Sequence, residues 1–552
     1  MTDEDTTSKD TTIQLSGKRL SPGMGSGKAF LHRDVLDRLD EFYDIEDLEV
    51  EGELQRYTLA VAKVSDDLKA LASQVSNEMD EDLSNVFLAH IAILQDPSLK
   101  AEVEQEIRAE LVSAGTGVKS VFRRWELRFL RMEAEVARQK ADDVHDLARR
   151  LVYSLAGVRG HALEEIPDGS VLVATRLLPS DTIYLARRNV SAALLEFGGI
   201  GSHAALFARE IGLPCVAGFP ELLQRVSAEA SILVDADAGE AIINPDQQQK
   251  DAFHAKDKQQ QKTRKKALAC AAEPAVTQDG TVIPVFANVA SAVDTQQAID
   301  SGADGVGLYR VEQAFLGMQE PPDAATLLNV VRETLEPARG LPVYVRLLDV
   351  GADKPLPFMG SFREVNPALG LRGIRFLQAY PDLLKTQLEV LLILSSEFNL
   401  HILVPMVTVP QDMQFVREWL QELASQSKIS PVPKLGAMIE TPGAALSLRH
   451  IAQYADFVSF GTNDLTQYTF AADRENAAVE RFFDDTHEAI FRLLEIAHLD
   501  VPDIPFSVCG ELAGRSEYVA KLLQCGVNTL SVAPPLIPAV KEAIRQCRGI
   551  TA

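Results

Sequence analysis

From about residue 280 the chain repeats one unit: a short apolar run, then a longer stretch with helical spacing of its apolar residues. The runs are VIPVFA, GVGL, PVYVRLL, ILVPM, LGAMI, FVSF, FSVC and TLSV. Each is long enough for a strand buried on both faces and short for a buried helix. Strands alternating with helices over roughly 250 residues predict a (β/α)8 barrel of the TIM type. Many runs end in or near a polar residue, namely Asn288, Arg310, Asp349, Glu440, Asn463, Asp464 and Glu511. The C-terminal strand ends of such a barrel build its active site, so chemistry is expected there.

The first half reads differently. Residues 13–32, with short apolar runs among Gly and Pro, suit a strand and turns. Residues 33–145 change to long Ala/Leu/Glu-rich segments such as LSNVFLAHIAILQD, with apolar residues at i, i+3 and i+4, which predicts a helical bundle. Residues 146–244 return to β-like runs (SVLVA, AALLEF, SILVDA). The simplest account is one α/β domain, 13–32 plus 146–244, split by a helical insertion. Residues 245–272 are rich in Gln and Lys and poor in large apolar groups, so they predict an exposed linker helix ahead of a barrel over 273–552. The chain of 552 residues is thus expected to be multidomain α/β.

Composition excludes several classes of function. A formal charge of −25 opposes nonspecific binding to nucleic acid or anionic lipid. The acidic opening MTDEDTTSKDTT is unlike a secretory signal, and no apolar stretch is long enough to cross a membrane, so a soluble cytoplasmic protein is expected. Five scattered cysteines, at 215, 270, 509, 525 and 547, have no zinc or disulfide spacing and read as reduced thiols.

Four constellations carry chemistry. In GGIGSHAALFARE, Gly198, Gly199 and Gly201 precede Ser202 and His203, and a helical run begins at once. A Gly-rich turn entering a helix sets free N–H groups and the positive helix end beside the imidazole, where an anion carried on it would be stabilised. Arg310, Arg346, Arg372 and Arg375 fall near strand ends and loops, and the planar guanidinium fork suits a small substrate bearing carboxylate and phosphate. Glu440 in GAMIETP and Asp464 in GTNDLTQY, beside Asn463, lie at the ends of neighbouring predicted strands. With phosphate oxygens and water they would make a Mg2+ site. Cys509 in FSVCGELAG suits a general acid or a nucleophile.

Taken singly, each has a blander reading: a packed His in a turn, a surface ion pair, a helix-capping acid, a buried thiol. Their company on one chain favours the functional one. GMGSGKAF looks like a P-loop but is not one, because Gly23 and Gly27 enclose three residues and Ala29 follows Lys28.

Together these motifs resemble enzyme I of the phosphoenolpyruvate:sugar phosphotransferase system. The likeness runs from about residue 14 to the end, through SPG, LAHIAILQDPSL, LPSDT, GGIGSHAALFAR, GVGLYR, DVGADK, NPALGLRGIR, MIETP, GTNDLTQYT and CGELAG in family order. It implies a swivelling phosphohistidine α/β domain, a helical insertion that binds the phosphocarrier protein HPr, and a barrel that binds phosphoenolpyruvate and forms a homodimer. His203 would be the phosphorylated nucleophile, and Arg310, Arg346, Arg372, Asn463 and Arg474 would bind substrate. Glu440 and Asp464 would hold Mg2+, and Cys509 would protonate the enolate to give pyruvate.

Several positions depart from the family pattern: Ala204 and Ala205 follow the active His where Thr or Ser is common, Leu178 stands before the Pro of LPSDT, and Val311 and Gln313 follow Arg310. The phosphohistidine loop therefore lacks hydroxyl hydrogen bonds. The related phosphoenolpyruvate synthases and pyruvate phosphate dikinases need an ATP-grasp domain, for which this sequence has neither the length nor the glycine-rich loop. An inactive sensor of phosphoenolpyruvate is the alternative of a different class, and retention of every charged motif residue counts against it.

Overall fold

The computed structural model describes residues 12–33, 45–78, 81–130, 135–157, 162–186, 188–198, 203–315, 318, 320–351, 364, 366–474 and 479–549. They form two compact units, divided between Gln259 and Gln260.

The first unit opens with strands β1 (Ile13–Ser16), β2 (Lys18–Ser21) and β3 (Met24–His32). Five helices follow: α1 (Val50–Glu78), α2 (Glu81–Leu94), α3 (Pro97–Glu110), α4 (Ala114–Leu130) and α5 (Glu135–Leu155). The chain then returns through β4 (Val171–Ala174), α6 (Pro179–Ala186), β5 (Ala192–Leu195), α7 (His203–Glu210), β6 (Cys215–Ala217), α8 (Leu222–Arg225), β7 (Ser231–Asp235) and β8 (Glu240–Ile243). The eight strands make one sheet in the order β1-β8-β7-β3-β4-β5-β6-β2. β3 and β4 pair in parallel, Ala29 opposite Val171, although the whole helical excursion separates them in sequence. This is the expected α/β domain with a helical bundle inserted in it.

The sequence explains the burial. β4, β5 and β6 read VLVA, AALL and CVA, apolar at every position, and every residue is buried, as suits parallel strands covered on both faces. The segment resembling a P-loop lies in β3, paired on one side with β7 and on the other with β4, so its glycines serve a strand and no phosphate loop exists there. Gly25 and Gly27 are required by close approach: a Cβ on either would lie 2.0 Å from a backbone carbonyl oxygen, of Ser191 or Gly169. In the bundle, Tyr57, Leu68, Phe87, Val103, Val121, Leu147 and Leu151 form one core. Asp96 caps α3, accepting from the N–H groups of Ser98 and Leu99 ahead of Pro97 at the first helical position.

One helix, α9 (Gln247–Ala269), runs from the first unit into the second, and only Ala267 on it is buried. The second unit is a closed barrel of eight parallel strands: β9 (Val285–Val289), β10 (Val306–Arg310), β11 (Pro342–Arg346), β12 (Asn399–Val407), β13 (Lys434–Ile439), β14 (Phe457–Phe460), β15 (Phe506–Val508) and β16 (Thr529–Val532). All eight apolar runs are strands, in sequence order around the barrel, with β16 pairing back to β9. Phe286, Tyr344, His401 and Phe457 cluster inside, with Tyr344 and His401 centred 4.6 Å apart and Tyr344 edge-on to Phe457 at 4.9 Å. Among the described residues no helix is long and apolar enough to cross a membrane.

Candidate active site

Side chains alternate along a strand, so every second residue faces the barrel interior. Leu308, Leu403, Met438, Phe457 and Cys509 form one buried cluster, with Tyr344 packed on it. Two residues past Leu308 comes Arg310, two past Tyr344 comes Arg346, and two past Met438 comes Glu440. The expected site residues are thus the next layer of the same inward faces, above the apolar fill. Register brings them close: Arg310 is the Cα partner of Arg346 across β10 and β11.

The layer is held by a continuous chain of ion pairs. Arg346 Nη2 donates to Glu312 Oε1 at 2.9 Å, and Arg346 Nη1 lies 3.1 Å from Asp349 Oδ2. The same Asp349 oxygen accepts from Arg372 Nη2 at 3.0 Å. Arg372 then reaches Asp464 Oδ1 at 3.1 Å and Tyr468 Oη at 3.2 Å. Burial alone would lower both arginine pKa values, but Glu312 and Asp349 around Arg346, and Asp349 and Asp464 around Arg372, raise both above the usual arginine value. Arg310 is different. Its side chain reaches solvent, yet the protein packed around it, and then the charge of Arg346, push its pKa down.

Glu440 follows β13 and is buried. Its Oε1 accepts from the Met406 N–H at 2.6 Å, where Met406 holds a left-handed backbone with φ 53°. Burial, then the charges of Asp464 and Asp349, push the Glu440 carboxyl up to about 8. Gly461 leaves its other oxygen room, since a Cβ there would lie 2.7 Å from Glu440 Oε2. Carboxylates crowded until one resists ionisation are a donor set short of positive charge, and hard oxygens of this kind suit a divalent cation. No group of three His, Cys, Asp or Glu makes a complete metal cage among the described residues. Glu440 and Asp464 would therefore fit a cation only if its remaining ligands came from outside the protein.

Cys509 follows β15 and is buried, its Sγ donating to the Phe460 carbonyl at 3.5 Å. Burial raises the thiol pKa, and the neighbouring Ser459 hydroxyl pulls it part of the way back. Asn463 accepts from the Glu511 N–H at 2.9 Å through Oδ1, and its residue is half-buried. Arg474 is exposed; its backbone N–H donates to Gln467 at 3.3 Å, and its charge reaches Arg310. Arg375 does not join the cluster, because its guanidinium donates to the carbonyls of Leu369 and Gly370. Between Arg372 and Arg375, Gly373 has φ 54°, and that left-handed turn sends the two side chains to different partners.

In the other unit His203 is the first residue of α7. Gly199, Gly201 and Ser202 lie outside the described residues. Gly198 packs closely, since a Cβ there would lie 2.7 Å from Leu20 Cδ1 and push that side chain aside. Of the departures from the family pattern, Leu178, Ala205 and Val311 are buried apolar residues, and Gln313 is exposed. The Asp181 that follows in LPSDT accepts from the Leu178 N–H at 2.8 Å and pairs with Arg149 of α5 at 2.6 Å. Asp146 and Ser180 complete this buried junction between the insertion and the α/β domain.

Sequence reasoning missed Glu312 and Tyr468. A Glu two residues past Arg310 was a legible signal for the first; nothing local marks the second.

Comparison with known proteins agrees with this layout. Residues 264–548 match the family described as "PEP-utilising enzyme, PEP-binding domain", residues 166–239 its "mobile domain" and residues 16–140 its "N-terminal" part. The chain is 34% identical over 548 residues to the phosphoenolpyruvate-protein phosphotransferase of Haloferax volcanii, covering 96% of this chain and 94% of that one. It is 32% identical to the enzyme of that name from Bacillus sp. (strain S), over 96% and 93%, and 30% identical to the one from Bacillus subtilis, over 95% and 93%. With its barrel, mobile domain and inserted bundle all accounted for, the chain belongs to the phosphoenolpyruvate-protein phosphotransferases, the enzyme I family.

Proposed function

We propose that this phosphoenolpyruvate-protein phosphotransferase accepts the phosphoryl group on His203 and passes it to a histidine of an HPr-type carrier, releasing pyruvate. The observation that carries the reading is the convergence of Arg310, Arg346 and Arg372 with Glu440, Asp464 and Cys509 on one end of the barrel.

Arg310, Arg346 and Arg372 bind the carboxylate and phosphate, and Arg346 and Arg372 are oriented for it because carboxylates hold both Nη atoms of each. Asn463 and Arg474 assist at the phosphate. Glu440 and Asp464 would hold Mg2+, which when bound would neutralise charge on the phosphate and the developing enolate. An imidazole nitrogen of His203 attacks phosphorus as the bond to the enolate oxygen breaks, and the enolate carbon takes a proton from Cys509. Burial serves this step, because a thiol with a raised pKa still carries its proton at neutral pH. The thiolate is reprotonated from solvent.

The helical insertion is the carrier's docking body and the barrel the homodimer contact. Family membership is what supports both readings.

The test is incubation with radiolabelled phosphoenolpyruvate and Mg2+, with and without chelator, beside His203→Ala. Acid-labile, metal-dependent label that the variant lacks is expected. Label retained in the variant would reject His203 as the acceptor.

A further inference from the structure

We propose that Glu312 is the positioning residue that aims Arg346 at phosphoenolpyruvate and lets two guanidiniums stand on adjacent strands. The proposal rests on the reading that Arg346 binds the substrate.

Glu312 lies in a single helical turn, Val311–Ala314, directly after β10. Tyr309, Val311 and Phe315 are all buried and pin that turn. From it the carboxylate reaches β11: Oε1 accepts from Arg346 Nη2 and from the Asp349 N–H, each at 2.9 Å. One oxygen thus fixes a side chain and the backbone leading to the next ion-pair partner. Asp349 takes Arg346 Nη1, and among the described residues Arg346 Nε is buried with no hydrogen-bond partner. A guanidinium clamped at both Nη atoms is fixed in orientation, and with five N–H donors it still has some to spare for one more oxygen acceptor.

Two further facts argue that fold stability alone does not explain this Glu. Its second oxygen, Oε2, is buried without a donor among the described residues, which a residue kept for stability would avoid. Arg310 and Arg346 are register partners, and the charge of Arg346 works against that of Arg310 while Glu312 works for it. Removing the carboxylate would leave the two cations facing each other with less compensation, in a place where both must be charged to hold an anion.

The experiment uses the full chain and compares wild type, Glu312→Gln and Glu312→Asp. KM and kcat are read from label transfer, and equilibrium binding of phosphoenolpyruvate from calorimetry in a His203→Ala background. Loss of one charge-assisted hydrogen bond predicts that Glu312→Gln raises KM and the dissociation constant roughly tenfold or more, with kcat changed far less. In an Arg346→Lys background the same change should add little, because the residue it positions is gone. Glu312→Asp keeps the charge but draws it back, so it should weaken binding by an intermediate factor; it serves if the Gln variant does not fold. Unchanged substrate affinity in a folded Gln or Asp variant, or full additivity with Arg346→Lys, would overturn the proposal. A wild-type chain that neither binds phosphoenolpyruvate nor takes label would instead defeat the functional reading beneath it.

Discussion

Phe207 meets Phe87 edge-on, with ring centres 6.1 Å apart and planes at 60°. Phe207 lies four residues after His203 on α7, one turn further along the helix, and belongs to the core of the inserted bundle. The helix that starts with the predicted phosphoryl acceptor is therefore anchored in the insertion as well as in its own sheet. Phe207→Ala should cost about 3–5 kcal/mol of stability. It should also slow labelling of His203 even with no carrier present, and Phe207→Leu should retain most of both. Denaturant unfolding and carrier-free labelling measure the two effects, and labelling at the wild-type rate in the Ala variant would show that the anchor is dispensable for the first half-reaction.

The Arg149–Asp181 pair is fully buried between α5 and α6, and Asp146 lies 3.2 Å from the same guanidinium. Truncating Arg149 takes a buried cation from two buried carboxylates, of which Asp146 keeps Arg150 at 3.7 Å. Arg149→Met should destabilise the first unit by about 3–5 kcal/mol, and adding Asp181→Leu should recover part of that loss. If the double variant unfolds at lower denaturant than the single one, the pair is not acting as a charge-compensated unit.

Glu440 predicts a pH dependence. Its folded pKa of about 8 lies above the unfolded carboxyl value, so the proton is held more tightly in the native state. Its contribution to stability is present below the unfolded value and is lost as pH rises through about 8. In chelator and without substrate, the melting temperature of the barrel should fall with rising pH across neutrality. Glu440→Gln should flatten that slope. Equal slopes in the two proteins would mean that another group carries the titration.

Cys509 makes few polar contacts, so Cys509→Ala should fold with nearly wild-type stability and bind phosphoenolpyruvate within a few-fold. Loss of a general acid should lower the rate of pyruvate formation by about 10²–10⁴-fold. Pyruvate release at an undiminished rate would assign the proton to another donor.

The barrel and its active end were legible because strand length, alternation and strand-end polarity are local properties. Arg310, Arg346, Glu440 and Cys509 could be found that way. What escaped depended on geometry between elements. Asp349 was visible as a strand-end acid, but its bridging of Arg346 and Arg372 follows from strand register and from the turn at Gly373. Arg375 looked equivalent to Arg372 until that same turn separated them. Phe207 read as an ordinary apolar residue on a short helix, and nothing in its neighbours announced that it would fill the core of a bundle encoded far upstream.

The chain of ion pairs at the barrel mouth means that its arginines already hold anions of the protein's own making. An incoming ligand takes the donors those pairs leave unspent and competes for the rest with tethered carboxylates that never diffuse away. Weak or singly charged anions lose that contest, whereas one bearing phosphate and carboxylate together can displace several internal partners at once. The mouth thus sets a threshold that favours an anion with two charged groups over small single ones.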